Sequence, residues 1–179
     1  MRSVELFTGA GGLALGSQLA GFHHVAVVER DHDSCKTLCL NQQYGLIDWP
    51  IFQSDVAEFD YATVTHPVDL VAGGPPCQPF SLGGKHEGQH DRRNLFPEAV
   101  RAVQELHPHA FVFENVKGLL RNTFAPYYRY TMQRLGLPFL TPYPDEPWEA
   151  HRSRLDQAEA DWSPKYRYTV SFRLCDAAD

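Results

Sequence analysis

Short apolar runs along this chain alternate with stretches of helical spacing, a pattern that predicts an α/β fold with a mostly parallel sheet flanked by helices. Val4 to Phe7 reads as a first strand, and the turn Thr8-Gly9-Ala10-Gly11-Gly12 follows it. A helix carrying Leu13, Leu15, Leu19 and Ala20 comes next, then a strand over Val25 to Val28 that ends on Glu29. Asp33 to Gln43 is expected to be helical, with Asp33 as its N-cap. Val68 to Ala72 reads as a buried strand running into Gly73-Gly74-Pro75-Pro76-Cys77. The polar, glycine-rich stretch Leu82 to Arg93 predicts a mobile loop. Asn94 is placed to cap a helix whose Phe96, Val100, Val103 and Leu106 keep helical spacing. Phe111 to Phe113 is a further strand, ending on Glu114.

A helix is expected from about Leu119 to Leu135, after which the character changes. Pro138, Pro142, Pro144 and Pro147 break regular structure, so residues 138–164 read as an insertion or peripheral excursion holding a polar surface helix over Glu149 to Asp161. From Tyr166 to Cys175 apolar and polar residues alternate, the pattern of a half-buried strand. The 179 residues are enough for one domain with a real core, so 1–179 is read as a single catalytic and cofactor-binding domain. No apolar run approaches membrane-spanning length and the amino-terminal residues lack the plan of a signal peptide, which makes a cytoplasmic protein the simplest expectation.

Charge and cysteines narrow the chemistry. The four cysteines, Cys35, Cys39, Cys77 and Cys175, do not form a disulfide framework, so reduced thiols are expected and one of them is available as a nucleophile. Cys35, Cys39 and His32, and separately His86 and His90, sit at spacings that suggest a metal, but structural zinc needs four ligands, and no metal is expected. A net charge of −6 counts against strong unaided binding to nucleic acid.

Three sites carry chemistry. Phe7 to Gly12 is a strand end, a glycine turn and a helix start, which lets a ligand approach the backbone; it is also what a tight turn without a ligand looks like. Glu29 ends the next strand, where doubly wound folds bind ribose hydroxyls, and the pairing favours a nucleoside cofactor. The turn lacks the Gly-x-Gly-x-x-Gly spacing, which argues against NAD. Cys77 follows two prolines at a strand's carboxyl end; it is either a structural thiol beside a rigid turn or a nucleophile presented to a ligand. Glu114 either caps a helix or pairs with an arginine, or else, beside a nucleophilic cysteine, protonates a ring nitrogen.

Taken in order, the cofactor turn, Glu29, Asp55-Val56, Pro-Pro-Cys-Gln-Pro-Phe-Ser and Glu114-Asn115-Val116 resemble the motifs of DNA (cytosine-5) methyltransferases of the bacterial and phage restriction-modification type. The resemblance spans nearly the whole chain except residues 138–164. It implies a Rossmann-like methyltransferase fold that binds S-adenosylmethionine, releases S-adenosylhomocysteine, and acts on duplex DNA. By the same resemblance Cys77 is the nucleophile and Glu114 the group that meets the ring nitrogen. Phe7 stacks on adenine, Gly9, Gly11, Gly12 and Gly74 admit the cofactor, Glu29 holds the ribose and Asp55 the adenine amino group. Gln78, Ser81, Lys85, Arg92 and Arg93 are expected at the DNA or the flipped base.

The family's glutamine-and-arginine motif, its target-recognition region and its final asparagine-containing segment have no match here, so the chain reads as truncated before the target-recognition domain. A truncated form is the preferred reading; next comes one subunit of a split enzyme whose second polypeptide supplies the rest, and then a degenerate remnant. Two other functions compete: cytosine-5 methylation of tRNA, and a non-catalytic module that binds cofactor or partner.

Overall fold

The computed structural model describes residues 1–76, 95–122, 124–161 and 167–176, the side chains of 159–161 excepted. They form two compact units, one made of Met1–Pro76 with Leu95–Asn115 and the other including the residues from Val116 onward.

The first unit is a five-stranded sheet in the order β3-β2-β1-β4-β5. The strands are β1 (Arg2–Leu6), β2 (His23–Glu29), β3 (Ile51–Gln53), β4 (Leu70–Gly73) and β5 (Ala110–Phe113), and every pairing is parallel. The helices α1 (Gly12–Leu19), α2 (His32–Gln43) and α3 (Phe96–Leu106) connect them. The chain winds outward from β1 through β2 to β3, then returns to β4 on the other side of β1. The carboxyl ends of β1 and β4 therefore flank a topological switch point, the place where such sheets bind ligands.

Alternation along the strands divides the core in two. Val4, Leu6, Ala26, Val28 and Val71 pack on one face with Val56, Phe59, Tyr61, Val68 and Ala102. Val27 packs on the other with Ala14, Leu38, Ile47 and Trp49. Full burial of each such aliphatic side chain stabilises the unit by about 1.5–3 kcal/mol before entropy is counted. The second face also holds a polar chain in which the Ser3 hydroxyl donates to His24 Nδ1 and His24 Nε2 donates to the Ala14 carbonyl, at 3.0 and 2.8 Å. His24 is buried, and desolvation lowers its pKa, so the neutral ring serves this network.

Several expectations change at this level. The N-cap of α2 is Asp31, whose carboxylate accepts from the Ser34 N–H at 2.8 Å; Asp33 lies inside the first turn, past the position where a cap is extended. Leu95 occupies the N-cap position of α3, with Pro97 in the first turn, while Asn94 lies outside the described residues. The strand β3 and a turn of 3-10 helix over Tyr61–Thr63, capped by Asp60, are too short to leave a periodic signal.

In the second unit the predicted helix over Leu119 to Leu135 is two elements, a 3-10 turn over Lys117–Leu120 and α4 (Ala125–Gly136). Pro126 explains the break: it lacks an N–H and disfavours helical geometry in the residue before it, so it sits in the first turn of a new helix. The polar stretch after Pro147 is α5 (Trp148–Asp161), and it is anchored rather than superficial, because His151 and Leu155 are fully buried against Tyr130 and Leu137. Tyr130 donates to His151 Nδ1 at 2.8 Å, and His151 Nε2 donates to the Leu140 carbonyl at 2.8 Å. Residues 167–176 form no strand. The Tyr168 N–H bonds the Gly136 carbonyl, but Phe172 and Leu174 are exposed, so alternation without a ladder partner did not produce a sheet edge here.

Among the described residues no helix is long and apolar enough to cross a membrane.

Candidate functional site

The site starts from backbone that only certain residues tolerate. Gly9 and Gly11 have φ of +55° and +95°, and Phe7 holds φ +53°, a costly conformation for an aromatic residue. The strain is held by bonds on both sides: the Gly11 N–H donates to the Thr8 carbonyl at 3.0 Å, and the Gly9 N–H donates to Glu29 Oε2 at 2.7 Å. The other Glu29 oxygen accepts from the Asp31 N–H at 2.7 Å. Glu29 thus ties the glycine turn after β1 to the loop after β2. Each of its oxygens still has a lone pair for a ligand hydroxyl.

A cleft opens at the carboxyl ends of β1, β2 and β4, lined by Phe7, Glu29, Arg30, Asp55, Gly74 and Pro76 among others. Asp55 enters it from the loop after β3. Its carboxylate accepts from the Ala57 N–H at 3.0 Å and from Arg30 Nη1 at 3.0 Å, and these two partners hold its pKa below the usual carboxylate range. Gly73 is required by the sheet itself, since a Cβ there would run into the Leu6 carbonyl oxygen. At Gly74 a Cβ would lie 3.4 Å from Glu114 Oε2, which places the Glu114 carboxylate over the start of the Pro-Pro segment. The Asn115 amide donates to the Pro75 carbonyl at 2.8 Å and ties the same segment to the end of β5.

Phe7, Glu29, Asp55 and Gly74 therefore share one cleft, with Glu114 close to Gly74, while Gly9, Gly11 and Gly12 shape the turn beside it. Gly11 has its own packing reason, for a Cβ would meet Leu38 and Trp49 at 2.9 and 3.0 Å. Cys77, Gln78, Ser81, Lys85, Arg92 and Arg93 lie outside the described residues, as do His86 and His90. Cys35 is buried with its thiol on the Glu29 carbonyl, and burial raises its pKa; Cys39 is exposed. Among the described residues no cluster of His, Cys, Asp and Glu is built to hold a metal.

Two contributors escape sequence reasoning. Arg30 carries no motif, and only its ion pair with Asp55, 25 positions away, marks it. Asn115 had a signal, its place in Glu-Asn-Val, but its bond to Pro75 needed the sheet to bring β4 and β5 together.

A parallel α/β unit with a glycine turn after its first strand and a cleft at the switch point has the architecture of the Rossmann-like methyltransferases. The family model for C-5 cytosine-specific DNA methylases matches residues 1–135, and the chain belongs to that family. It is 44% identical over 134 residues to the type II methyltransferase M.NgoMIV of Neisseria gonorrhoeae, covering 75% of this chain and 41% of that protein. It is 33% identical to M.AquIA of Picosynechococcus, covering 98% of this chain and 64% of that one. A structure described as a DNA modification methyltransferase encoded within an Escherichia coli prophage superposes with a TM-score of 0.61 at 31% identity, over 74% of this chain and 36% of the other. The Dnmt2 protein of Spodoptera frugiperda shares the fold at 22% identity, with a TM-score of 0.53, over 74% of this chain and 40% of that one. The chain thus spans only about two fifths of M.NgoMIV.

Proposed function

We propose that this chain is the cofactor-binding and catalytic portion of a DNA cytosine-5 methyltransferase that acts on a flipped cytosine of duplex DNA. The observation that carries this reading is the cleft shared by Phe7, Glu29, Asp55 and Gly74, with Glu114 beside Gly74, the residue that opens the Pro-Pro segment preceding Cys77 in the sequence. The donor set fits S-adenosylmethionine: an aromatic face for adenine, two carboxylates as acceptors for ribose hydroxyls and an exocyclic amine, and a turn whose Gly9 and Gly12 leave open space. Phe7, Glu29 and Asp55 would hold the nucleoside, and Gly9, Gly11, Gly12 and Gly74 would admit the remainder. Bound there, S-adenosylmethionine supplies the electrophilic methyl group.

The chain's own residues do the rest. Carbon 5 of cytosine is a weak nucleophile until the ring is activated. The Cys77 thiolate adds to carbon 6, and Glu114 hydrogen-bonds or protonates nitrogen 3, which gives carbon 5 enamine character. After methylation a base takes the carbon 5 proton, and the carbon 6 bond to Cys77 breaks to restore the ring. Asn115 positions the Pro75-Pro76 segment that precedes Cys77 in the sequence. Gln78, Ser81, Lys85, Arg92 and Arg93 are assigned to the flipped base and the DNA backbone. Extruding the base costs a few kcal/mol of unstacking, which the pocket contacts must return.

The test is trapping on duplex DNA that carries 5-fluorocytosine, with S-adenosylmethionine present. Fluorine at carbon 5 blocks the final elimination, so a covalent adduct lost in Cys77→Ser is expected. An adduct formed only when host extract is added would assign part of the site to a second polypeptide. No adduct under either condition, or one formed with tRNA and not with duplex DNA, would overturn the reading.

A further inference from the structure

The arginines with structural roles in this protein are satisfied by partners. Arg30 pairs with Asp55. Arg101 bridges Glu98 and Glu105. Arg154 forks onto Glu146 and stacks 3.9 Å from the Tyr143 ring centroid. Lys117, Arg121 and Arg129, on the 3-10 turn, its C-cap and α4, are different: all three are exposed, and none has a carboxylate partner among the described residues. The inward side of α4 is occupied by Tyr130, Thr131 and Leu135, all buried.

Charge is segregated along the chain as well. Residues 116–144 contain four cations and no carboxylate, the fourth being Arg134, half-buried over the Tyr130 ring. The rest of the chain is left at −10 against −6 overall. A solvated helix face ordinarily mixes both signs. Three exposed cations with no carboxylate partner among the described residues of an acidic protein hold counterions that a polyanion would release, and that release is the main source of phosphate-backbone affinity.

We propose that Lys117, Arg121 and Arg129 form a contact surface for the phosphate backbone of duplex DNA. The proposal rests on the DNA methyltransferase reading above and adds to it a binding surface outside the cofactor cleft. Backbone contacts position the duplex and carry no base information, so their removal weakens binding equally for unrelated sequences.

The experiment measures duplex binding by the full chain over a range of salt concentrations, using fluorescence anisotropy. It compares the wild type with the triple variant K117Q/R121Q/R129Q, with Arg129→Gln alone, and with Lys36→Gln on α2 as a control. S-adenosylmethionine affinity and far-ultraviolet circular dichroism report that each variant is folded. Each lost phosphate contact is expected to make the slope of log affinity against log salt shallower by about 0.9, so the triple variant should differ from wild type by about 2 to 3. Arg129→Gln should show about one third of that change, and Lys36→Gln none. A wild type that binds duplex with a triple variant of unchanged slope would overturn this surface and leave the methyltransferase reading standing. A wild type with no salt-dependent duplex binding would overturn this surface as well, and the methyltransferase reading would then stand or fall on the 5-fluorocytosine adduct alone.

Discussion

Glu5 gives the sharpest test of the energetics. It sits in β1 on the sheet face shared with Ser3, its neighbours in register are Val27 and Ala72, and all are buried. It is 1% exposed, and its Oε2 has no hydrogen-bond partner among the described residues. Burial alone pushes its pKa from 4.5 up to about 8, so the carboxyl is protonated in the folded chain at neutral pH. The raised folded pKa sets the sign: the proton is bound more tightly in the native state than in the unfolded one. The linked stabilisation is complete below about pH 4.5, shrinks through the interval up to about pH 8, and is gone above it. A tenfold difference in proton affinity is worth about 1.4 kcal/mol, so the full effect is bounded at about 5 kcal/mol, a large part of a small domain's stability. Glu5→Gln keeps the shape and removes the titration. Urea unfolding at pH 5, 6.5 and 8 should show the variant gaining on wild type by several kcal/mol as pH rises. The difference between the two proteins cancels the opposite contribution of the buried histidines, whose lowered pKa values destabilise the fold as pH falls. Parallel pH profiles for the two proteins would refute the claim that Glu5 is buried as the neutral acid.

Other expectations follow from single contacts. Tyr130→Phe strands His151 Nδ1 in a fully buried position and should cost about 1–3 kcal/mol, read as a lower Tm. Gly73→Ala drives a methyl group into the Leu6 backbone and should cost about 3 kcal/mol, whereas Gly16→Ala in α1 meets nothing within 4 Å and should stabilise by about 0.5–1 kcal/mol; chemical denaturation compares them directly. Glu29→Ala removes the acceptor for both the Gly9 and Asp31 N–H groups, and calorimetry should show S-adenosylmethionine affinity falling by at least about tenfold, since one charge-assisted hydrogen bond is worth about 1.5–3 kcal/mol.

The chain alone determined most of the alternation of strands and helices in residues 1–76 and 95–115, β3 and the 3-10 turn after it excepted, because buried parallel strands are compact apolar runs that glycine and proline punctuate. It also marked Glu29, Cys77 and Glu114 as candidate chemistry, because acids and thiols at strand ends present reactive groups, while Phe7, Asp55 and Gly74 were marked through the resemblance to the methyltransferase motifs. Tertiary structure decided what those residues touch. Glu29 read as a ribose acid, and the fold shows it first as the brace of the glycine turn, a role created only when β1 and β2 lie side by side. Asn115 reaches Pro75, and Arg30 reaches Asp55, across 40 and 25 positions that no local spacing connects. The alternating residues after Arg167 form no strand, because a period of two declares an apolar side and leaves the ladder partner unspecified. Glu5 stands as the clearest case: in sequence it is one acid beside a motif, and only the packing of Val27, Ala72 and the sheet around it removes its water and keeps its proton.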